Sequence, residues 1–398
     1  MNTTAISVNR AWEILNANRY FPGTVSLPLQ DCLGKVLAEE ILNDRDQPPF
    51  DRVMMDGFAI RRDDYENGHR EYSIARLLAA GYEPGEALKS GEAVEIMTGA
   101  VLPPQGGMVV RYEDCESDGK TLHIKVDNLT SGCNIHPRGS DNLKGTTLIN
   151  SGEILWAPEL AIAATVGKSI LQVFRCPEIG VFSTGDELVA IETTPLDWQI
   201  RRSNDTAIQA LLMSFGYTSK SEYIRDDASL LRSALENGDG CDVSVFCGGV
   251  SAGKFDLLPE TLRSEGYEVL IHGIAQKPGK PFLFARNHDR FVFGLPGNPV
   301  SAMVCAARYL LPWLNVSFGK AAGNISVLVE PVPAIKSGFT HFIDAKLYAD
   351  AEGTKRAKPD KGNGSGDLMH LHHTDGFVEI NDSCSGNKAL CSFWKIKP

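Results

Sequence analysis

The sequence predicts a multidomain α/β protein centred on a doubly wound α/β domain, and three features of the chain lead there. Between about Pro177 and Leu314, short apolar runs alternate with helix-like stretches, the pattern that builds a parallel sheet covered on both faces. Loops rich in glycine, acids and lysine follow those runs, and sheets of this kind bind ligands at the carboxyl ends of their strands. Outside that stretch the texture changes to short alternating runs broken by Gly and Pro, the mark of separate β-domains.

Taken in order, Val8 to Asn18 spaces Trp12, Ile14 and Leu15 as an amphipathic helix, and Asp31 to Ile41 reads as a second. Gln47-Pro-Pro-Phe50 stops any helix. Ala93–Met97, Met108–Tyr112 and Leu122–Val126 are expected strands of a small β-domain, and a helix over Ala157–Val166 precedes a strand at Ile170–Phe174. In the central domain, strands are expected at Ile179–Phe182, Ser219–Ile224, Val243–Phe246 and Phe291–Gly294. Helices are expected at Asp205–Phe215, Ser229–Glu236, Leu257–Ser264 and Val300–Leu311. From Asn324 onward, short strands and turns indicate a terminal β-domain.

Bulk properties narrow the function. At 398 residues and 43% hydrophobic content, the chain can bury a large core and divide into two to four domains. The charge, 39 − 50 = −11, argues against a nucleic-acid partner. No apolar run approaches the roughly 18 to 20 residues of a membrane span. The N-terminus lacks a secretory pattern, and the nine cysteines contain no Cys-x-x-Cys pair. A reduced cytoplasm is the expected location.

The most informative stretch is Cys247-Gly-Gly-Val-Ser-Ala-Gly-Lys-Phe-Asp256, which follows an apolar run. A strand emptying into a glycine-rich loop presents backbone N–H groups to an anion. Gly248 to Lys254 fits Gly-x-x-x-x-Gly-Lys, but Phe255 stands where a P-loop needs Ser or Thr for Mg²⁺, and Asp256 follows. Metal-assisted chemistry on a nucleotide-like ligand, without ordinary NTP hydrolysis, is the reading that fits. Ser183-Thr-Gly-Asp-Glu187, Arg225-Asp-Asp227, Gln276-Lys-Pro-Gly-Lys280 and Leu295-Pro-Gly-Asn-Pro299 fall at or near other strand ends. Carboxylates there suit Mg²⁺ and lysines suit oxyanions. Each loop alone has a plainer reading as a turn or helix cap, and His370-Leu-His-His373, with no supporting cysteine spacing, reads as solvated or strand-packed rather than as a zinc site.

Together with Pro48-Pro-Phe-Asp51, Met55-Asp-Gly-Phe-Ala59, Ile96-Met-Thr-Gly-Ala100, Ser203-Asn204 and Gly362-Asn-Gly-Ser-Gly-Asp367, these motifs occur in an order that resembles the molybdopterin molybdotransferase family. This is the MoeA family, to which the E domain of gephyrin is related, and the resemblance runs from about residue 6 to the C-terminus. It implies four domains: an elongated helical/β domain from residues 1–45 and 136–175, a small β-domain over 46–135, a molybdopterin-binding α/β domain over 176–322, and a barrel-like β-domain over 323–398. It implies an enzyme that inserts molybdenum from molybdate into adenylylated molybdopterin with Mg²⁺ and releases AMP. It also implies a homodimer whose cleft is shared between subunits, with an adenylylating enzyme and molybdoenzyme maturation proteins as possible partners.

Carried onto this chain, the resemblance places Gly248, Gly249, Ser251 and Gly253 at the adenylate, with Glu187 and Asp256 beside Mg²⁺. Lys277 and Lys280 neutralise phosphate or molybdate, and Asp56 and Thr98 close the site from the partner subunit. Asp141 and Asp226 match further acids of the pattern. Ser203, Pro296, Gly297, Asn298, Pro299 and Ser365 complete the substrate-binding set. Asn134-Ile-His-Pro-Arg-Gly-Ser-Asp141 departs from the family's arginine-rich stretch at His136 and Ser140, with Arg138 placed to compensate, and Gly273 stands at a position that is sometimes basic. Two rival readings are a molybdopterin adenylyltransferase, which tends to carry Gly-Gly-Thr-Gly where this chain has Gly-Gly-Val-Ser, and a non-catalytic scaffold, which has no need to bury Asp56, Glu187, Asp226 and Asp256. A Walker-type NTPase is weakest, given Phe255.

Overall fold

The computed structural model describes residues 5–236, 241–250, 257–384 and 386–397. The chain divides into two compact units, one made of residues 27–33 and 39–171 and the other of residues 1–26, 34–38 and 172–398.

The smaller unit is built on a six-stranded sheet in the order Met108–Arg111, Gly57–Ile60, Glu92–Ile96, Glu71–Leu78, Thr121–Ile124, Cys115–Ser117. Gly57–Ile60 is buried along its whole length because both faces of the sheet are covered. Phe58, Ile60, Tyr72 and Val110 pack on one side, and Ala59, Val94, Ile96 and Val109 on the other.

The larger unit carries the α/β domain. Its strands are β1 (Ile179–Thr184), β2 (Ser219–Ile224), β3 (Val243–Cys247), β4 (Glu268–His272), β5 (Leu283–Asn287) and β6 (Arg290–Leu295), ordered β2-β1-β3-β6-β5-β4. The first four positions in that order are parallel. Helices α1 (Asn204–Ser214), α2 (Ala228–Glu236), α3 (Leu258–Ser264) and α4 (Pro299–Cys305) connect or follow them. β1 and β3 are buried throughout, as expected for central strands flanked by helices. One face packs Phe182, Phe246, Leu258, Leu262 and Val292. On the opposite face, Trp313 packs edge-on against Phe291 and Phe293, with ring centroids 4.9 and 5.1 Å away.

After α4 the helix continues through a π turn, Ala306–Leu310, into α5 (Leu311–Ser317). The terminal domain is a closed five-stranded barrel of β7 (Ile325–Val329), β8 (Thr340–Ala349), β9 (Lys355–Pro359), β10 (Gly376–Ile380) and β11 (Ala389–Lys395), in which β8 pairs with both β9 and β10 and so shuts the ring. Val327, Ile343, Val378 and Phe393 fill it.

Two sequence expectations are corrected. The sheet is mixed, because β5 and β6 form a hairpin across His288-Asp289 and β4 adds antiparallel to β5. His288 takes φ 52°, a left-handed conformation that this residue type tolerates better than β-branched ones. The helix expected over Asp31–Ile41 is also absent. Gly34 adopts φ 73°, breaking helical geometry, and Val36 to Ala38 instead pair as extended chain, Phe174 N donating to Val36 O at 2.9 Å and Ala38 N to Gln172 O at 2.8 Å. Val36 and Leu37 are both buried by that pairing.

Candidate functional site

Because β1, β2, β3 and β6 run parallel, the segments that follow them open at one end of the sheet. A cavity of about 700 Å³ lies there, lined by Glu187, Ser203, Asp226, Gly248, Gly249 and the turn Pro296–Pro299 among others. Its shape depends on glycine. Gly248 takes φ 112°, and a Cβ there would stand 2.6 Å from Thr184 O and 2.7 Å from Thr184 Oγ1. A Cβ on Gly249, at φ 66°, would meet the same hydroxyl at 3.3 Å. The Asn204 amide donates to Gly297 O at 2.7 Å, holding the last turn against the start of α1.

Buried polar atoms without a hydrogen-bond partner cluster beside this cavity. Among the described residues, six buried side-chain N or O atoms lack a hydrogen bond, and four of them are Ser183 Oγ, Thr184 Oγ1, Arg202 Nε and Asp205 Oδ1. Ser183, Thr184 and Arg202 line the cavity, and Asp205 Oδ2 lies 3.6 Å from Arg202 Nε. Leaving such atoms unsatisfied costs about 1–3 kcal/mol each, and four of the six cluster at this end of the sheet. Burial, reinforced by Asp205, pushes the Cys247 thiol up to about 12. It therefore stays protonated at neutral pH and is a lining group, not a nucleophile.

A second cavity, of about 530 Å³, adjoins the first and shares Pro281, Asn298 and Ser301 with it. It is lined by Lys277, Lys280, His341, Lys361 and Ser365, together with Asp344. The barrel loop is tied to the α/β domain through Ser365, whose Oγ accepts from Asn298 Nδ2 at 3.1 Å and whose carbonyl accepts from Val300 N at 3.1 Å. Burial lowers the His341 pKa, and Lys277 and Lys361 lower it further, so the imidazole is neutral at neutral pH. Burial raises the Asp344 carboxyl, against the opposing pull of His370 at 3.6 Å.

The structure thus gathers Glu187, Ser203, Asp226, Gly248, Gly249, Pro296, Gly297 and Pro299 around one cavity, Lys277, Lys280 and Ser365 around the other, and Asn298 between them. Ser251, Gly253 and Asp256 lie outside the described residues. Asp56, Thr98 and Asp141 belong to the other compact unit. There Asp56 Oδ1 accepts from Thr98 N at 2.6 Å and Thr98 Oγ1 at 2.8 Å, bonds that hold its carboxyl below the usual range. Asp141 Oδ1 lies 2.9 Å from His136 Nε2, and His136 Nδ1 lies 3.0 Å from Arg52, so the histidine that departs from the family pattern links an arginine to the acid. One expectation fails: Asp56 and Glu187 are exposed and Asp226 is half-buried, so burial of these acids does not weigh against a scaffold. Exposure still suits Mg²⁺, which keeps several waters and needs only one or two carboxylates beside phosphate oxygens. Among the described residues no group of three or more His, Cys, Asp or Glu is placed to hold a metal unaided.

Sequence reasoning missed Ser183, Thr184, Arg202, His341 and Lys361 as lining groups. Ser183 and Thr184 are expected in the loop after the first strand, where only the acids stand out, and instead form the last two residues of β1; His341 and Lys361 reach the cavity from β8 and the segment after β9, a placement no local pattern announces.

Comparison with known proteins agrees with this architecture. The family described as "MoeA N-terminal region (domain I and II)" matches residues 6–167, and the family described as "Probable molybdopterin binding domain" matches residues 180–316. The chain is 35% identical over 384 residues to a molybdopterin molybdenumtransferase of Synechocystis, covering 94% of this chain and 95% of that protein. It is 28% identical over 398 residues to one of Staphylococcus epidermidis, covering 97% and 94%. A crystal structure of a molybdopterin biosynthesis MoeA protein from Pyrococcus horikoshii superposes with a TM-score of 0.85 at 29% identity, covering 99% of this chain and all of that one. No described helix is long and apolar enough to cross a membrane.

Proposed function

The chain belongs to the molybdopterin molybdenumtransferase family, a transferase of molybdenum cofactor biosynthesis, and we propose that its two adjoining cavities hold the two substrates of that transfer. The carboxylate-bearing cavity takes adenylylated molybdopterin and the lysine-bearing one takes molybdate. The observation that carries this reading is the shared wall of Pro281, Asn298 and Ser301, which brings carboxylates and ammonium groups to neighbouring spaces.

Cleaving a phosphoanhydride beside a molybdenum oxyanion gathers negative charge in a small volume. Lys277 and Lys280 offset it as point charges. Glu187, with Asp226 close by and Asp256 following the same glycine loop in sequence, supplies carboxylates for Mg²⁺, which when bound would neutralise phosphate charge. Water adds across the phosphoanhydride to release AMP and leave the molybdopterin phosphate, while the two dithiolene thiols displace one oxo group of molybdate, which departs with their protons as water. In this reading the protein is a cytoplasmic homodimer, Asp56, Thr98 and Asp141 complete the cleft from the partner subunit, and the four-domain division given by the sequence applies.

The test is to incubate the purified protein with adenylylated molybdopterin, Mg²⁺ and molybdate and to follow AMP release. Molybdate-dependent release is expected. Consumption of ATP with no AMP release from the adenylylated substrate would establish the adenylyltransferase reading instead.

A further inference from the structure

The turn Lys277-Pro-Gly-Lys280 exposes both lysine side chains, yet the residue before it, Gln276, is only 1% exposed. A buried amide must satisfy its donors and acceptor, and this one spends them on the turn. Gln276 Nε2 donates to Pro278 O at 3.1 Å and to Gly279 O at 3.2 Å. Its Oε1 accepts from the hydroxyl of Tyr309. Tyr309 is wholly buried in the π turn, its ring 4.8 Å from that of Phe282. The Cys305 thiol adds a weaker bond to Gly279 O at 3.6 Å. The fit beneath the turn is so close that a Cβ on Gly279, at φ 89°, would stand 2.6 Å from Gln276 Nε2 and 2.8 Å from Cys305 Sγ.

We propose that Gln276 and Tyr309 are positioning residues for oxyanion capture. Two consecutive carbonyl oxygens of a turn that lines an anion cavity would repel the anion if they faced it. Gln276 draws both inward, so that the cavity meets the two ammonium groups and not the carbonyl dipoles. Tyr309 fixes which end of the Gln276 amide points at the turn: by donating to Oε1, it leaves the NH₂ group to face the carbonyls. The same segment is held from its other side by pairing of Gln276 with Thr340 and Lys277 with His341, which keeps the turn against the barrel strand that supplies His341.

This inference rests on the assignment of molybdate to the lysine cavity, and one set of variants separates the two. Steady-state kinetics of AMP release with molybdate varied should be measured for Tyr309→Phe, Gln276→Leu and Lys280→Ala, with thermal unfolding of each full-length protein. Tyr309→Phe is expected to raise KM for molybdate about fivefold and Gln276→Leu about tenfold, the loss of one and of several hydrogen bonds. KM for adenylylated molybdopterin and kcat at saturating molybdate should hold near wild type. If Lys280→Ala raises the molybdate KM and the other two leave it unchanged, the positioning role is overturned. If Lys280→Ala also leaves it unchanged, the cavity assignment itself fails. Should Gln276→Leu not fold, Tyr309→Phe, which removes a single oxygen, decides the matter alone. A fall in kcat with every KM unchanged would also overturn the proposal.

Discussion

Glu187 and Asp226 face the cavity at the ends of β1 and β2, whereas Lys277, Lys280 and Lys361 face the one beside it. The first is built by the parallel part of one sheet, from loops that follow strands in order, with glycines setting its walls. The second lies between a turn of the α/β domain and the barrel, and its lining comes from segments as far apart as residues 276 and 365. The difference teaches how one chain keeps opposite charges within reach of each other without letting them neutralise. Glu187 and Asp226 sit on other elements than Lys277, Lys280 and Lys361, and Asn298 lines both spaces, while Arg202 in the first and Asp344 in the second keep each from carrying one sign alone.

The sharpest way to break this contrast is to remove a carboxylate. Glu187→Gln keeps size and polarity but removes the charge, and AMP release at limiting Mg²⁺ is expected to fall about 100-fold, with partial rescue by excess Mg²⁺. Retained turnover would remove Glu187 from the mechanism. Next in size is Lys280→Ala. Losing one charge-assisted contact, about 1.5–3 kcal/mol, should raise the molybdate KM by roughly ten- to a hundredfold while AMP binding, measured by calorimetry, stays unchanged. Equal loss of both affinities would mean that the two spaces act as one.

Gly248→Ala probes the shape of the first cavity alone. Its backbone sits at φ 112° and the new Cβ would meet Thr184 O at 2.6 Å, so nucleotide affinity is expected to drop and thermal stability to fall by an amount corresponding to about 1–3 kcal/mol. Molybdate binding should be spared.

The smallest effect concerns pH. The His341 pKa is lowered by burial and then by Lys277 and Lys361, so the unfolded chain takes up the proton first as pH falls. The stability that His341 contributes by remaining neutral is therefore present above about pH 6.5 and is lost as pH drops through the lower folded value. Protonation also adds a positive charge to the lysine cavity. Molybdate should consequently bind roughly two- to fivefold tighter on mild acidification, with no matching change in AMP affinity. His341→Ala should abolish that component, and a pH dependence that survived in the variant would assign it elsewhere.

Much of the first cavity was legible in the sequence because its loops carry the residues that set their own geometry. Gly248, Gly249 and Pro296 to Pro299 announce special backbone shapes, and the apolar runs before them announce strands. The second was half legible. Lys277-Pro-Gly-Lys280 stood out, but Gln276 looked like an ordinary polar residue until burial showed what its amide does. Gly34 went unweighed inside an apparently helical run, and the antiparallel β4 and β5 were hidden because Glu268–His272 and Leu283–Asn287 lack turn signals as plain as those of the motif loops. In each case a partner distant in sequence decided the outcome.

The ring formed by β7 to β11 gives every one of its strands two neighbours. The closure is staggered: β8 pairs with β10 over 341–345 and with β9 over 345–349, so neither of its sides is a continuous free edge for an incoming extended peptide to continue. Side chains on the outer wall and the turns at the mouth then make up most of what the terminal domain offers a docking protein. Selection for a new client there can act on surface residues one at a time, while the hydrogen-bonded frame that carries Lys361 and Ser365 to the cavity stays as it is.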